Sequence, residues 1–277
     1  MISLDQKYEK LCSILRSMES VVIGYSGGVD STFLAKVATD LLGDRALSVA
    51  AISESYPQHE QFEAAAFAQD LGLHFLTIQT SELDNPDYLK NAPDRCYHCK
   101  HELIAQLREV AIERGINAVV VGTNYDDLGD YRPGQQAVKE AGVRSPLVQA
   151  EMTKEDIRLL SRRLGIPTRD KPSVAGLSSR FPYGEASTRE KLDMVDRAEQ
   201  ILREHHFRQF RVRHHDKLAR IEVSPQDMQN LLSIREEITQ KFRTIGYQYI
   251  AMDLIGYRTG SMNEVLHRIE MPAGIVK

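Results

Sequence analysis

The chain has 277 residues, 42% hydrophobic and 27% charged, which is room for about two domains and excludes a disordered or fibrous chain. Its 35 Lys and Arg against 39 Asp and Glu leave a net charge of −4, so it is no bulk polyanion binder and a nucleic-acid role would need a local patch. Three cysteines exclude a disulfide scaffold and suit a reducing compartment. No apolar run approaches the roughly 18 residues of a membrane span, and the N-terminal stretch lacks the basic and apolar regions of a signal peptide, so a cytoplasmic protein is expected.

Residues 4–19 carry Leu11, Ile14, Leu15 and Met18 at helical spacing. SVVIGY (20–25) follows, a β-branched run typical of a buried parallel strand. The turn SGGVDS (26–31) leads into a helix over 32–43 that Gly43 closes. Strands are expected at 46–53, 73–80 and 117–122, with helices at 58–72 and 100–114. Strands alternating with helices give an α/β domain with a doubly wound, mostly parallel sheet. Residues 123–150 read as a polar, Gly-rich functional loop. Thr153 and Asp156 form a capping-box start for a helix over 153–165. The Gly-, Pro- and Ser-rich segment 171–184 precedes a domain boundary at 186/187. Beyond it, a helix (188–204), strands (207–213, 218–223 and 247–256) and a mostly helical stretch (225–243) suggest a smaller α+β domain over 187–277.

The strand–SGGVDS–helix unit carries the chemistry. Two glycines let backbone N–H groups approach an anion, and the helix start adds its dipole. Ser26 and Ser31 can add hydroxyl donors. The loop lacks the Gly-Lys-Ser/Thr of a Walker A loop and the spacing of a dinucleotide fingerprint. Cys96 and Cys99 form a CxxC pair that reads as half a zinc site, a redox or persulfide pair, part of a cluster site, or two structural thiols. A helix start lowers thiol pKa and so favours the reactive readings. Cys12 lies outside every motif. The stretch 203–220 holds six Lys and Arg with His205, His206, His214 and His215. Without a stacking platform it argues against RNA, and its histidines are expected to meet solvent or phosphate.

SGGVDS resembles the PP-loop of the ATP pyrophosphatases. That resemblance implies binding of the β,γ-pyrophosphate of ATP, cleavage between the α and β phosphates, and an acidic residue, here Asp30, serving Mg²⁺ or loop geometry. CYHCK (96–100), GTNYDDLGDYRPG (122–134), EAGVRSPL (140–147), LSSRFPYG (177–184) and FRVRHHDKLARIEV (210–223) together resemble the LarE-type sulfur transferases. That family activates the carboxylates of a pyridinium biscarboxylate mononucleotide with ATP and converts them to thiocarboxylates for the nickel-pincer nucleotide. The resemblance puts ATP phosphates on Ser26, Gly27, Gly28, Val29, Asp30 and Ser31, and adenosine near Ala51 and Ser53. Gly122, Asn124, Asp127 and Arg132 fall beside the nucleotide. Cys96, Cys99, Lys100, Ser179, Arg180 and Glu199 become reaction-centre groups, and Arg211 and Arg213 a clamp on the substrate phosphate. It also implies a homo-oligomer built through the C-terminal domain.

The sequence departs from the family in one place. Members that sacrifice a cysteine carry it just before the SSRFPYG stretch, where this chain has Ser173 to Ser178 and no thiol. Other members use that cysteine with the CxxC pair to hold a [4Fe-4S] cluster, so Cys96 and Cys99 are expected to offer at most a partial site. Two further readings are an amide-forming ATP pyrophosphatase of the NAD-synthetase kind and a nucleotide-binding regulatory protein without turnover.

Overall fold

The computed structural model describes residues 2–129, 133–172 and 175–258. They form two compact units, Met1–Leu89 with Pro93–Ala175 and Lys90–Ala92 with Gly176–Lys277. The second unit starts upstream of the expected 186/187 boundary because residues 176–186 are tied into it. Arg180 pairs with Glu199, and Asn91 Nδ2 donates to the Pro182 carbonyl at 2.8 Å.

The first unit runs α1 (Leu4–Arg16), β1 (Val21–Gly24), α2 (Val29–Leu42), β2 (Ala46–Ile52), α3 (Gln58–Asp70), β3 (His74–Gln79), α4 (Pro86–Leu89), α5 (Arg95–Arg114), β4 (Ala118–Val121), α6 (Pro133–Glu140), α7 (Pro146–Gln149) and α8 (Lys154–Arg163). Its sheet has the order β3-β2-β1-β4, and every pairing is parallel. Alternate residues divide the core. Val21, Ile23, Ala46 and Ala50 pack with Leu11, Leu15, Phe33, Leu34, Ile157 and Leu160 on one face. Val22 and Val49 pack with Leu107, Val110 and Ala111 of α5 on the other. This is the doubly wound arrangement expected from the sequence, since a parallel strand buried on both faces must be apolar at every position.

Four elements differ from their expected bounds in ways that matter. Helix α2 starts at Val29, so Val29, Asp30 and Ser31 occupy its first turn. Helix α5 starts at Arg95, which brings the CxxC pair inside its first two turns. The expected loop 123–150 contains α6, and Ala137, Val138 and Val143 pack there against Ile104 and Val121. The last strand is confined to four residues, because the chain bends at Leu254 and Ile255.

The second unit contains α9 (Arg189–Glu204), β5 (Phe210–His215), β6 (Leu218–Val223), α10 (Met228–Ser233), α11 (Arg235–Ile245) and β7 (Tyr249–Met252). Its sheet has the order β5-β6-β7, with the first pairing antiparallel and the second parallel. One face, with Phe210, Val212, Ala219, Ile221 and Val223, packs with Leu202, Ile238 and Phe242. The other face carries Arg211, Arg213, Arg220 and Glu222, as the period of two requires.

Candidate active site

In the first unit the chain runs outward from β1 to β2 and β3, then returns to place β4 on the other side of β1. Ligands of open α/β sheets bind at the carboxyl ends of strands flanking such a reversal. Both sequence-selected loops, 26–31 after β1 and 122–127 after β4, leave the sheet there.

Gly27 has φ 63°, and a Cβ on it would lie 2.7 Å from Ala64 Cβ. Conformation and packing therefore both require glycine. The Tyr56 hydroxyl donates to the Ser26 carbonyl at 2.6 Å and pins the turn. Ser26 Oγ and Ser31 Oγ lie 3.1 Å apart, facing each other across the loop. Gly28 caps α2 without a side-chain acceptor, so the first-turn N–H groups keep their capacity to bind an anion. Gly122 lets β4 pass close by, since a Cβ there would sit 2.9 Å from the Ser31 backbone N. Gly122→Ala is therefore expected to displace the start of α2 and weaken ATP binding severalfold while the chain still folds. Calorimetric titration of ATP into both proteins checks this.

Asp30 faces Lys154 and Asn124. Its Oδ2 accepts from Lys154 Nζ at 2.7 Å and from Asn124 Nδ2 at 3.3 Å. Its Oδ1 is buried and has no hydrogen-bond partner among the described residues. Mg²⁺ binds nucleotide sites through one or two carboxylates plus the phosphates, so this oxygen beside a phosphate loop fits that ion. Asn124 is held by its own turn. Its N–H donates to Asp127 Oδ2 at 3.1 Å, and its side-chain oxygen accepts from Asp126 N at 2.9 Å. Sequence reasoning missed Lys154, which sits just after the capping Thr153, where a lysine carries no distinguishing signal. Arg132 lies outside the described residues.

Ala51 is partly buried in β2, and Ser53 is buried just beyond its end. Ser53 Oγ lies 3.1 Å from Ser55 Oγ. Ser55 Oγ donates to Glu82 Oε2 at 2.6 Å, and Cys99 Sγ donates to Glu82 Oε1 at 3.2 Å. A hydrogen-bonded chain thus joins the end of β2 to the CxxC pair through Glu82, another residue that sequence reasoning missed. Burial pushes the Cys99 thiol well above its ordinary range, and the Glu82 carboxylate adds to the rise. This overturns the expectation that the helix start would lower its pKa, because burial and a neighbouring negative charge outweigh the dipole. Burial holds the Lys100 ammonium below its usual value, with partial compensation from Cys99 and Cys96.

The second unit places the remaining sequence-selected groups together. Arg180 lies in a short turn, Leu177–Arg180, and is buried. Its guanidinium forks onto Glu199, Nε to Oε1 and Nη2 to Oε2, both at 2.9 Å. Nη1 also donates to Ser179 Oγ at 2.9 Å. Burial works to raise the Glu199 carboxyl, yet Arg180 outweighs it and holds the group below its ordinary value. Arg213 donates to the Ser179 carbonyl at 3.0 Å and to Glu222 Oε2 at 2.8 Å. Arg220 bridges the other Glu222 oxygen at 3.2 Å. Arg211 lies over the Tyr257 ring at 5.2 Å. Burial lowers its pKa, and the nearby positive charge of Arg180 lowers it further, which marks an environment that favours an anion. Two nitrogens on this face, Arg220 Nε and His215 Nε2, are buried with no hydrogen-bond partner among the described residues. His214 corrects an expectation. It is buried on the core face, with Nδ1 3.1 Å from the Tyr247 hydroxyl, and does not meet solvent.

The NAD synthase family model matches residues 8–129, the part that holds the phosphate loop. An uncharacterised protein of Synechocystis is 45% identical over 265 residues, covering 95% of this chain and 99% of that one. The pyridinium-3,5-bisthiocarboxylic acid mononucleotide synthase of Lactiplantibacillus plantarum is 35% identical over 275 residues, covering 98% of this chain and 99% of that protein. The chain belongs to the LarE-type family of PP-loop sulfur transferases. A GMP synthase of Aeropyrum pernix is 28% identical over 205 residues, 66% of this chain and 39% of that protein. That shorter likeness is consistent with a nucleotide domain shared more widely than the LarE-type chain as a whole.

A PP-loop chain of this LarE-type family uses ATP. The CxxC pair does not by itself complete an iron–sulfur cluster site. A cluster takes cysteine thiolates on each protein-held iron, and Cys96 and Cys99 supply two. No group of three or more His, Cys, Asp or Glu able to hold a metal occurs among the described residues. Among them, no helix is long and apolar enough to cross a membrane.

Proposed function

We propose that this chain uses ATP and Mg²⁺ to adenylylate a carboxylate of a pyridinium biscarboxylate mononucleotide, releasing pyrophosphate, and then replaces the activated oxygen with sulfur. The observation that carries the reading is the end-to-end 35% identity to a bisthiocarboxylic acid mononucleotide synthase. The first-turn N–H groups of α2, with Ser26 and Ser31, take the pyrophosphate. Asp30 would hold Mg²⁺ through Oδ1, and Lys154 fixes the other carboxylate oxygen. When bound, the ion neutralises charge on the leaving pyrophosphate. Ala51 and Ser53 flank the adenosine, with Gly122, Asn124 and Asp127 on the opposite side of the loop. Lys100 supplies positive charge for the adenylyl transfer.

The arginine-bearing face of the second unit takes the mononucleotide phosphate. Arg211 is the clamp, since guanidinium forks match phosphate. Arg213, fixed by Glu222 and Ser179, orients the Ser179–Arg180 turn. Arg180 and Glu199 hold this face in shape. The second unit thereby serves substrate binding and, on the family pattern, homo-oligomer assembly in the cytoplasm, with no nucleic-acid partner. Arg211→Ala is expected to weaken mononucleotide binding roughly ten- to hundredfold, the loss of one charge-assisted bond, and to leave ATP binding unchanged. Separate titrations of the two ligands check this, and equal losses would move Arg211 out of the substrate site.

The NAD synthase match favours one second reading, amide formation at the same phosphate loop. Incubation with ATP, the biscarboxylate mononucleotide and either sulfide or ammonia separates the two. Mass spectrometry should find oxygen replaced by sulfur and no amide. An amide product alone would overturn the sulfur-transfer reading.

A further inference from the structure

The cysteines differ in a way the family resemblance does not anticipate. Cys96 is the second residue of α5 and exposed, whereas Cys99 is the fifth and partly buried. Residues three apart on a helix share a face, with Cβ atoms about 5–6 Å apart. The Cα separation of such a pair, about 5 Å, falls in the range a disulfide spans, while the Cβ atoms must close by roughly 1–2 Å, a shift the first two turns of α5 have to supply. Beside the inner thiol lies Glu82, itself buried, with one oxygen on Cys99 and the other on Ser55. A buried carboxylate that accepts a hydrogen bond from the thiol is well placed to remove that proton.

We propose that Cys96 and Cys99 form a dithiol–disulfide pair with divided roles, in which Cys96 attacks an external disulfide, Cys99 closes the internal bond, and Glu82 takes the Cys99 proton. In the first step the Cys96 thiolate attacks one sulfur of the external disulfide, forming a mixed disulfide and expelling one thiolate. In the second, Cys99 Sγ attacks Cys96 Sγ while its proton passes to Glu82 Oε1. The Cys96–Cys99 bond forms, the second thiolate leaves, and the external disulfide has been reduced by two electrons. Ser55 holds the carboxylate in line throughout. The inference rests on this geometry alone and stands or falls separately from the sulfur-transfer reading.

The test follows thiolate release from dithiobis-nitrobenzoate by stopped flow on the full-length chain, with the new bond located by peptide mapping without reduction. The wild-type chain should release two thiolates in sequence from this pair and yield the Cys96–Cys99 peptide. Cys99→Ser should stop at the mixed disulfide. Glu82→Gln should leave the first release unchanged and slow the second at neutral pH by at least about a hundredfold, the usual worth of a general base. The rate of that slow phase should rise in proportion to hydroxide. Glu82→Asp, which keeps a carboxylate, should recover part of the rate. A Glu82→Gln chain whose second release is as fast as wild type, or faster, would overturn the proposal, because a carboxylate that merely repels thiolate gives that result. So would a wild-type chain that forms no internal disulfide, or one purified anaerobically with iron bound through Cys99.

Discussion

Asp30→Ala is expected to fold normally and to lose ATP-dependent pyrophosphate release by roughly a hundred- to thousandfold, the usual cost of removing one preorganised charge-stabilising group. Asp30 lies in the first turn of α2, where its carboxylate supports no buried apolar packing. It is held by Lys154 and Asn124, and its other oxygen is buried with no hydrogen-bond partner among the described residues. Removing it leaves Lys154 without its partner, yet that lysine remains partly exposed and can be solvated. Asp30→Asn should keep much of the geometry and still fail, because the charge is what the ion requires. Pyrophosphate release and a denaturant titration on the same preparations separate the chemical effect from folding. A fully active Asp30→Ala chain would remove the phosphate loop from the reaction.

The second large effect concerns stability. Arg180→Ala strands the Glu199 carboxylate in a buried site where its pairing now depends on that guanidinium. Breaking a buried pair from one side costs about 3–5 kcal/mol. The double replacement Arg180→Met with Glu199→Leu removes both charges and should regain most of the loss. Chemical denaturation of the three chains measures this. If Arg180→Ala matches the wild type, the pair is not what holds the Ser179–Arg180 turn against β5.

The sheet of the first unit was legible because each strand is a short apolar run flanked by turn residues, and alternation with helices leaves few topologies open. The phosphate loop was legible for a similar reason, since Gly27, Gly28 and the hydroxyls of Ser26 and Ser31 fall at a strand–helix junction. Less of the surrounding site could be read. Lys154 and Glu82 reach their partners only through tertiary folding, across 124 and 17 positions of chain, and no local pattern sets either apart. Helix α6 was hidden in a polar stretch where Ala137, Val138 and Val143 give only a sparse apolar signal. The CxxC pair was visible as a spacing, but the ionisation of Cys99 was not. The helix start suggested easier ionisation, and burial beside Glu82 reversed it. Arg180, Arg211 and Arg213 were visible as residue types, while the pairing of Arg180 with Glu199 and of Arg213 with Glu222, and the burial of Arg211, were not.

The most direct test of the central claim is the fate of ATP when the chain is incubated with Mg²⁺ and the pyridinium biscarboxylate mononucleotide, followed by phosphorus NMR. AMP and pyrophosphate are expected in equal amounts, formed only when the mononucleotide is present. ADP with inorganic phosphate, or pyrophosphate release indifferent to the mononucleotide, would contradict that claim.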